Sequence, residues 1–177
     1  MNIEQLKYPI GKFIPPDQIT ASDRATYIND LEALPSMLRE VISGLSEEQL
    51  DTPYREDGWT VRQVVHHIPD SHLNSYIRFR WALTEPQPLI KAYDEKAWAL
   101  LPDAVRAPVE YSLSLLESLH RRWVFLLRKL KEEDWEKSFK HPETNKIITL
   151  DLNLSLYSWH GKHHLAHITN LVSRMDW

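Results

Sequence analysis

Four stretches of this chain repeat apolar residues at the spacing of one helical face, and only one short stretch reads as strand. Tyr27, Leu31, Leu34, Leu38 and Ile42 mark the first stretch, and Val61, Val64, Val65, Ile68, Tyr76 and Phe79 the second. Leu113, Leu116, Leu119, Trp123, Leu126 and Leu127 mark the third, and Leu154, Tyr157, Leu165, Ile168, Leu171, Val172 and Met175 the fourth. Steps of three and four residues put each set on one side of a helix, and that apolar stripe has to be buried against its neighbours. The spacing predicts a helix capped by Ser22 or Asp23 and running to about residue 43, then helices over about 60–83, 109–130 and 152–175. The expected fold is all-α, a four-helix bundle in which a long connection lets one pair run parallel. At 177 residues the chain is read as one domain, 1–177.

The connections carry their own signals. Pro9 and Pro15-Pro16 make residues 1–20 an irregular lead-in. Pro35 is expected to bend or split the first helix, and Pro69 to kink the second. Residues 46–59 read as a loop with one short turn. Residues 84–108, with four prolines, form a long crossover with a helical turn around 94–101, and connections of that length are usually functional. Its Tyr93, Asp94 and Trp98 could line a pocket. The charged run 129–137 is read as solvated helix surface, and Lys146-Ile147-Ile148-Thr149 as part of a small hairpin.

Composition removes several chemistries. Cysteine is absent, which excludes disulfides, cysteine-zinc sites, iron–sulfur clusters and thiol nucleophiles. Four glycines cannot form a phosphate-cradling loop or a nucleophile elbow. Lys and Arg number 21 against 25 Asp and Glu, which speaks against a nucleic-acid partner. No apolar run approaches a membrane span, and the N-terminus has no signal-peptide pattern, so the expected location is cytoplasmic.

Histidine is abundant, with nine residues, and four of them fall within Trp159-His160-Gly161-Lys162-His163-His164-Leu165-Ala166-His167. At about 100° per residue, His164 lies within the apolar arc, His160 and His167 flank it, and His163 points away toward solvent. His160 and His164 are an i, i+4 pair, the separation that lets two imidazoles share a metal. In His66-His67 the neighbours diverge; His67 lies near the Val64 side of the stripe and is the better third ligand, while His66 points away. His72 is the fallback ligand, and His120 reads as a hydrogen-bonded core residue. Three buried imidazoles without a metal must find partners for six ring nitrogens. Three neutral histidines suit zinc, nickel, cobalt or iron and leave a position open. That position takes water, lowering its pKa toward about 7, or deprotonates a substrate thiol. Gly161 follows His160, so no H-E-x-x-H base is supplied, and Asp70 is the candidate catalytic or tautomer-holding carboxylate. Arg78 and Arg80 are read as surface or ion-paired, and most of the seven tryptophans as core or subunit-contact residues.

Gly58-Trp59-Thr60-Val61-Arg62-Gln63-Val64-Val65-His66-His67-Ile68, Asp70-Ser71-His72, Asn74 and Trp159-His160-x3-His164-x2-His167-Ile168 resemble the DinB-like superfamily, closest to its YfiT-like branch of metal-dependent hydrolases related to bacillithiol transferases. Asp51-Thr52-Pro53-Tyr54-Arg55 and His141-Pro142-Glu143-Thr144 extend the resemblance over nearly the whole chain. It implies an up-down-down-up four-helix bundle, a homodimer, and three metal-binding histidines that fall on His67, His160 and His164. Pro69 departs from the pattern, where a helix-compatible residue such as alanine is expected. The implied cofactor is one divalent transition metal per chain, zinc or nickel first, with no organic cofactor.

Three functions follow as expectations. The first is a metal-dependent hydrolase that activates water. The second is a transferase joining a low-molecular-weight thiol such as bacillithiol to an electrophile; without cysteine, the thiol must come from a cosubstrate. The third is a non-catalytic bundle that binds a metal or ligand. In the first two the partner is a small molecule.

Overall fold

The computed structural model describes residues 2–177. Four long helices dominate it: α2 (Ala21–Ile42), α4 (Val61–Thr84), α7 (Val109–Leu127) and α8 (Leu150–Met175). Shorter helices are α1 (Ile3–Lys7), α3 (Glu47–Leu50), α5 (Glu95–Trp98) and α6 (Pro102–Arg106), and strands β1 (Ser138–Lys140) and β2 (Ile147–Thr149) pair antiparallel as a hairpin. Local chemistry sets the starts of the long helices. Thr20 with Asp23, and Thr60 with Gln63, form reciprocal capping boxes, while the Thr149 hydroxyl accepts from the Leu152 amide.

Contacts along the bundle fix its topology. Arg39 meets Glu110 and Glu32 meets Arg128, so α2 and α7 are antiparallel. Arg24 pairs with Asp151 and Asp30 with Lys162, so α2 and α8 are parallel. Ser71 approaches Tyr157 while Ser75 accepts from Asn153, so α4 opposes α8. The order along the chain is therefore up, down, down, up. Two apolar clusters fill the interior. One is centred on Trp123, whose ring meets Phe79 at 5.4 Å and Tyr157 at 5.9 Å. The other gathers Leu34, Leu38, Val61, Val64, Ile68, Leu116 and Ile168 nearer the histidines. Gly161 is required where α8 crosses α2, because a Cβ there would lie 2.5 Å from Leu34 Cδ2.

Several expectations need correction. The split allowed for at Pro35 does not occur: α2 runs on through it, as α4 does through Pro69, and both prolines are buried, so packing on each side outweighs the lost bond. The lead-in carries helix α1, opened by an Asn2–Gln5 capping box; Met1 lies outside the described residues. The third long helix ends at Leu127, and Glu132–Asp134 form a 3₁₀ turn instead of continuing it. Most charges of 129–137 are exposed, but Trp135 is buried in the core beneath Arg24. No helix is long and apolar enough to cross a membrane among the described residues.

Candidate metal centre

His67 faces α8 from the second turn of α4, and His160 and His164 face back from successive turns of α8. One nitrogen from each of these three rings lies within 4.8 Å of the others. His67 Nε2 and His160 Nε2 are 3.3 Å apart. Two nitrogens held about 2.0–2.1 Å from a tetrahedral zinc are separated by about 3.3 Å, so this pair already spans one edge of such a site. Burial, reinforced by neighbouring imidazoles, pushes His160 and His164 well below the ordinary histidine range and His67 to about 4. All three rings are thus neutral at pH 7, the protonation state that ligates.

A chain of hydrogen bonds decides which nitrogen of His160 carries the proton. Pro35 has no N–H, so the carbonyl of Leu31, four residues earlier, lacks its helical donor. His120 Nδ1 donates to that carbonyl. With Nδ1 protonated, neutral His120 accepts at Nε2, 2.9 Å from His72 Nδ1. His72 must donate there, so its Nε2 accepts from His160 Nδ1 at 3.2 Å. His160 Nε2 is left with its lone pair directed at His67. His72, the fallback ligand, is fully buried in this chain and joins neither group of potential ligands among the described residues. The relay makes a prediction: His120→Leu should weaken zinc binding about 10–100-fold, the usual cost of losing a group that orients a ligating imidazole, in a chelator competition titration. An unchanged affinity would separate the relay from the site.

Hydrogen bonding alone does not account for the cluster, because His164 Nδ1 is buried without a partner. A second group, His163, His164 and His167, also brings three nitrogens within 4.8 Å. Here His167 Nε2 donates to the Lys7 carbonyl at 3.1 Å and its ring stacks on Tyr54 at 4.1 Å. His163, expected to face solvent, is instead buried under Trp159 and Tyr8. A helical wheel carries no information about the N-terminal segment that folds over this face. His66 does point away from the triad, yet it is buried, held by Ser112 Oγ and the Ala107 carbonyl.

The first triad opens on a cavity of about 370 Å³ lined also by Trp59, Ser71, Arg78, Ala92, Tyr93, Glu95, His141, Glu143, Tyr157, Trp159 and His163. The crossover supplies Tyr93, packed against Trp98 at 4.7 Å, while Asp94 is spent capping α5. Asp70 is not among the lining residues. It is half-buried and raised to about 6 by burial and by Asp103, which places it toward the crossover. Arg78 is buried rather than superficial, whereas Arg80 is exposed and donates to the Tyr76 hydroxyl. Sequence reasoning passed over Arg78, Glu95, and the side chains of His141 and Glu143 as site residues. Only the hairpin and crossover connect them, and no periodicity reports where a connection lands. A larger hollow of about 670 Å³ lies between α2 and α7, but its only histidine is His120 and no group of three convergent ligands faces it among the described residues.

Comparison with known proteins bears on the family and the fold. The DinB superfamily model matches residues 30–168. A protein of Oceanobacillus iheyensis named "putative metal-dependent hydrolase" is 54% identical over 171 residues, 97% of this chain and 98% of that one. The Bacillus subtilis protein named "putative metal-dependent hydrolase YfiT" is 50% identical over 177 residues, 100% of this chain and 99% of the other. The solved YfiT structure, described as a probable metal-dependent hydrolase with an unusual four-helix bundle topology, superimposes with a TM-score of 0.96 over 98% of this chain and 99% of that one. A second four-helix bundle protein, TT2238, shares the fold at 20% identity, with a TM-score of 0.57 over 83% of this chain and 98% of its own.

Proposed function

The chain belongs to the DinB superfamily, and on that premise we propose that it is a hydrolase dependent on one divalent transition metal, zinc or nickel first, held by His67, His160 and His164. The observation that carries this reading is the 3.3 Å approach of two Nε2 atoms, one of them stripped of its proton by a buried relay. Bound by three protein ligands, such a metal supplies Lewis acidity and brings the pKa of water toward about 7.

The chain's own residues do the rest. His67 Nε2 and His160 Nε2 meet at 3.3 Å, so that a metal replacing the proton between them would be held by both, and Ser71 Oγ stands 3.4 Å from His160 Nε2, where it can orient a polar substrate atom. Trp59, 4.7 Å from the His67 ring, and Trp159 wall the site and restrict water. Burial raises the Tyr93 hydroxyl, so it remains a donor across the working pH range. His141 borders the same cavity, its Nδ1 has no partner, and burial followed by the charge of Arg78 lowers it from 6.5. It is therefore neutral at pH 7, with an unpartnered ring nitrogen open to a hydrogen bond from a bound substrate. Asp70, outside the cavity lining, is not assigned that role.

The test is turnover of activated esters and amides by metal-reconstituted protein, with and without an added low-molecular-weight thiol. Hydrolysis should disappear on chelation, return with metal and proceed unchanged without thiol. Turnover that requires thiol would replace the hydrolase with the transferase, since the cysteine-free chain has no sulfur nucleophile of its own.

A further inference from the structure

The fold buries three arginines and neutralises two of them. Arg24 is paired with Asp151 and Glu132, and Arg62 with Asp51 and Glu47. Arg78, on α4 two turns beyond Ser71, is 9% exposed, and among the described residues it has neither an ion pair nor a hydrogen-bond partner. Its Nε is sealed from solvent and unpartnered. Burying a guanidinium without a counter-charge is costly, so a group left in that state calls for a partner from outside the chain. Arg78 lines the cavity that the three histidines open on.

We propose that Arg78 anchors a carboxylate on the substrate, so that the chain acts on small molecules carrying a carboxylate set apart from the bond to be cleaved. This rests on the hydrolase reading for the reaction, but the anchor itself stands on Arg78 alone. The planar fork of a guanidinium matches the two oxygens of a carboxylate with parallel charge-assisted bonds. A singly charged group is favoured over a phosphate dianion for two reasons. Among the described residues Arg78 is the only lysine or arginine lining the cavity, and the exposed Glu95 and Glu143 place negative charge at its rim. The α-helical rise of ~1.5 Å per residue puts the Cα of Arg78 about 16 Å along α4 from that of His67, and the side chain leans back toward the helix N-terminus. The carboxylate and the reacting bond are therefore separate groups of one small molecule held within the same cavity of about 370 Å³.

The test follows the Arg78 Nε–H signal by NMR in the full chain, metal-free and zinc-loaded, during titration with succinate, inorganic phosphate and the neutral succinamide. Succinate should shift the signal saturably in both forms, phosphate more weakly, and succinamide not at all. Arg78→Gln, followed through neighbouring amides, should bind succinate at least about tenfold more weakly, the loss expected for a charged hydrogen-bond donor. Arg78→Lys, which keeps the charge without the fork, should fall between. Zinc content equal to wild type shows that each variant has folded. No saturable response, equal affinity in Arg78→Gln, or tighter binding of phosphate would each overturn the proposal. Because the metal-free form is read separately, a failed anchor leaves the hydrolase reading standing, and an absent metal leaves the anchor testable.

Discussion

Replacing His160 by alanine is expected to lower metal affinity by more than about a hundredfold while leaving helical circular dichroism near that of the wild type. Loss of a group that merely orients a ligand already costs about 10–100-fold, and His160 combines a ligand with the inner end of the relay. The fold should survive because the ring is half-buried at a cavity wall and the surrounding core belongs to other residues, such as Ile68, Leu165 and Ile168. The remaining cost is the buried Nε2 of His72, left without its partner and worth about 1–3 kcal/mol. Elemental analysis after dialysis reads the outcome directly. His163→Ala is the companion experiment. His163 belongs only to the second histidine group, so its variant should keep its metal. If His163→Ala were metal-free and His160→Ala loaded, the site would be the one formed by His163, His164 and His167.

What the amino-acid order reveals is unequal across this molecule. Helical periodicity locates all four long helices, because each apolar stripe has a single way to be buried. The i, i+4 spacing of His160 and His164 is likewise local geometry, and the fold brings one nitrogen of each within 4.8 Å of one from His67. The split allowed for at Pro35 does not occur, and that proline has a use that matters to function. Propensity counts the bond that Pro35 removes, but not the use made of the carbonyl it frees. Leu31 supplies the end of the histidine relay through that carbonyl, 89 residues away from His120 in the chain. Arg78 is misread because an arginine on a helix is ordinarily solvated, and only the arrival of the hairpin and crossover buries it without a direct partner among the described residues. His163 is misread because α1 and the segment after it cover the face it occupies.

The metal-free protein should lose its fold steeply between pH 6.5 and about 4. Every one of the nine histidines is held below its ordinary value, in each case with burial as the largest cause. Between a folded pKa near 4 and an unfolded value of 6.5, the unfolded chain binds protons that the native chain refuses. Stability therefore rises with pH across that window and is lost as pH falls through it. His67 and His120, both lowered to about 4, would each contribute about 3 kcal/mol. Two such groups rival the ~5–15 kcal/mol that holds an ordinary domain together. Asp70 works in the opposite direction: raised to about 6, it takes up a proton more readily when folded and offsets part of the loss. Burial raises Asp151 as well, in the same direction as Asp70, but two carboxylates do not balance nine imidazoles, so tryptophan fluorescence and circular dichroism should report a common unfolding midpoint near pH 5. Zinc should shift that midpoint downward, because a ligand of the neutral rings competes with protons for the same lone pairs. In His120→Leu, which removes one of these groups, the slope of stability against pH should be shallower. A metal-free chain that stays folded at pH 4 would mean that the imidazoles are far more hydrated than their packing implies, and the directed lone pair at His160 would lose its basis.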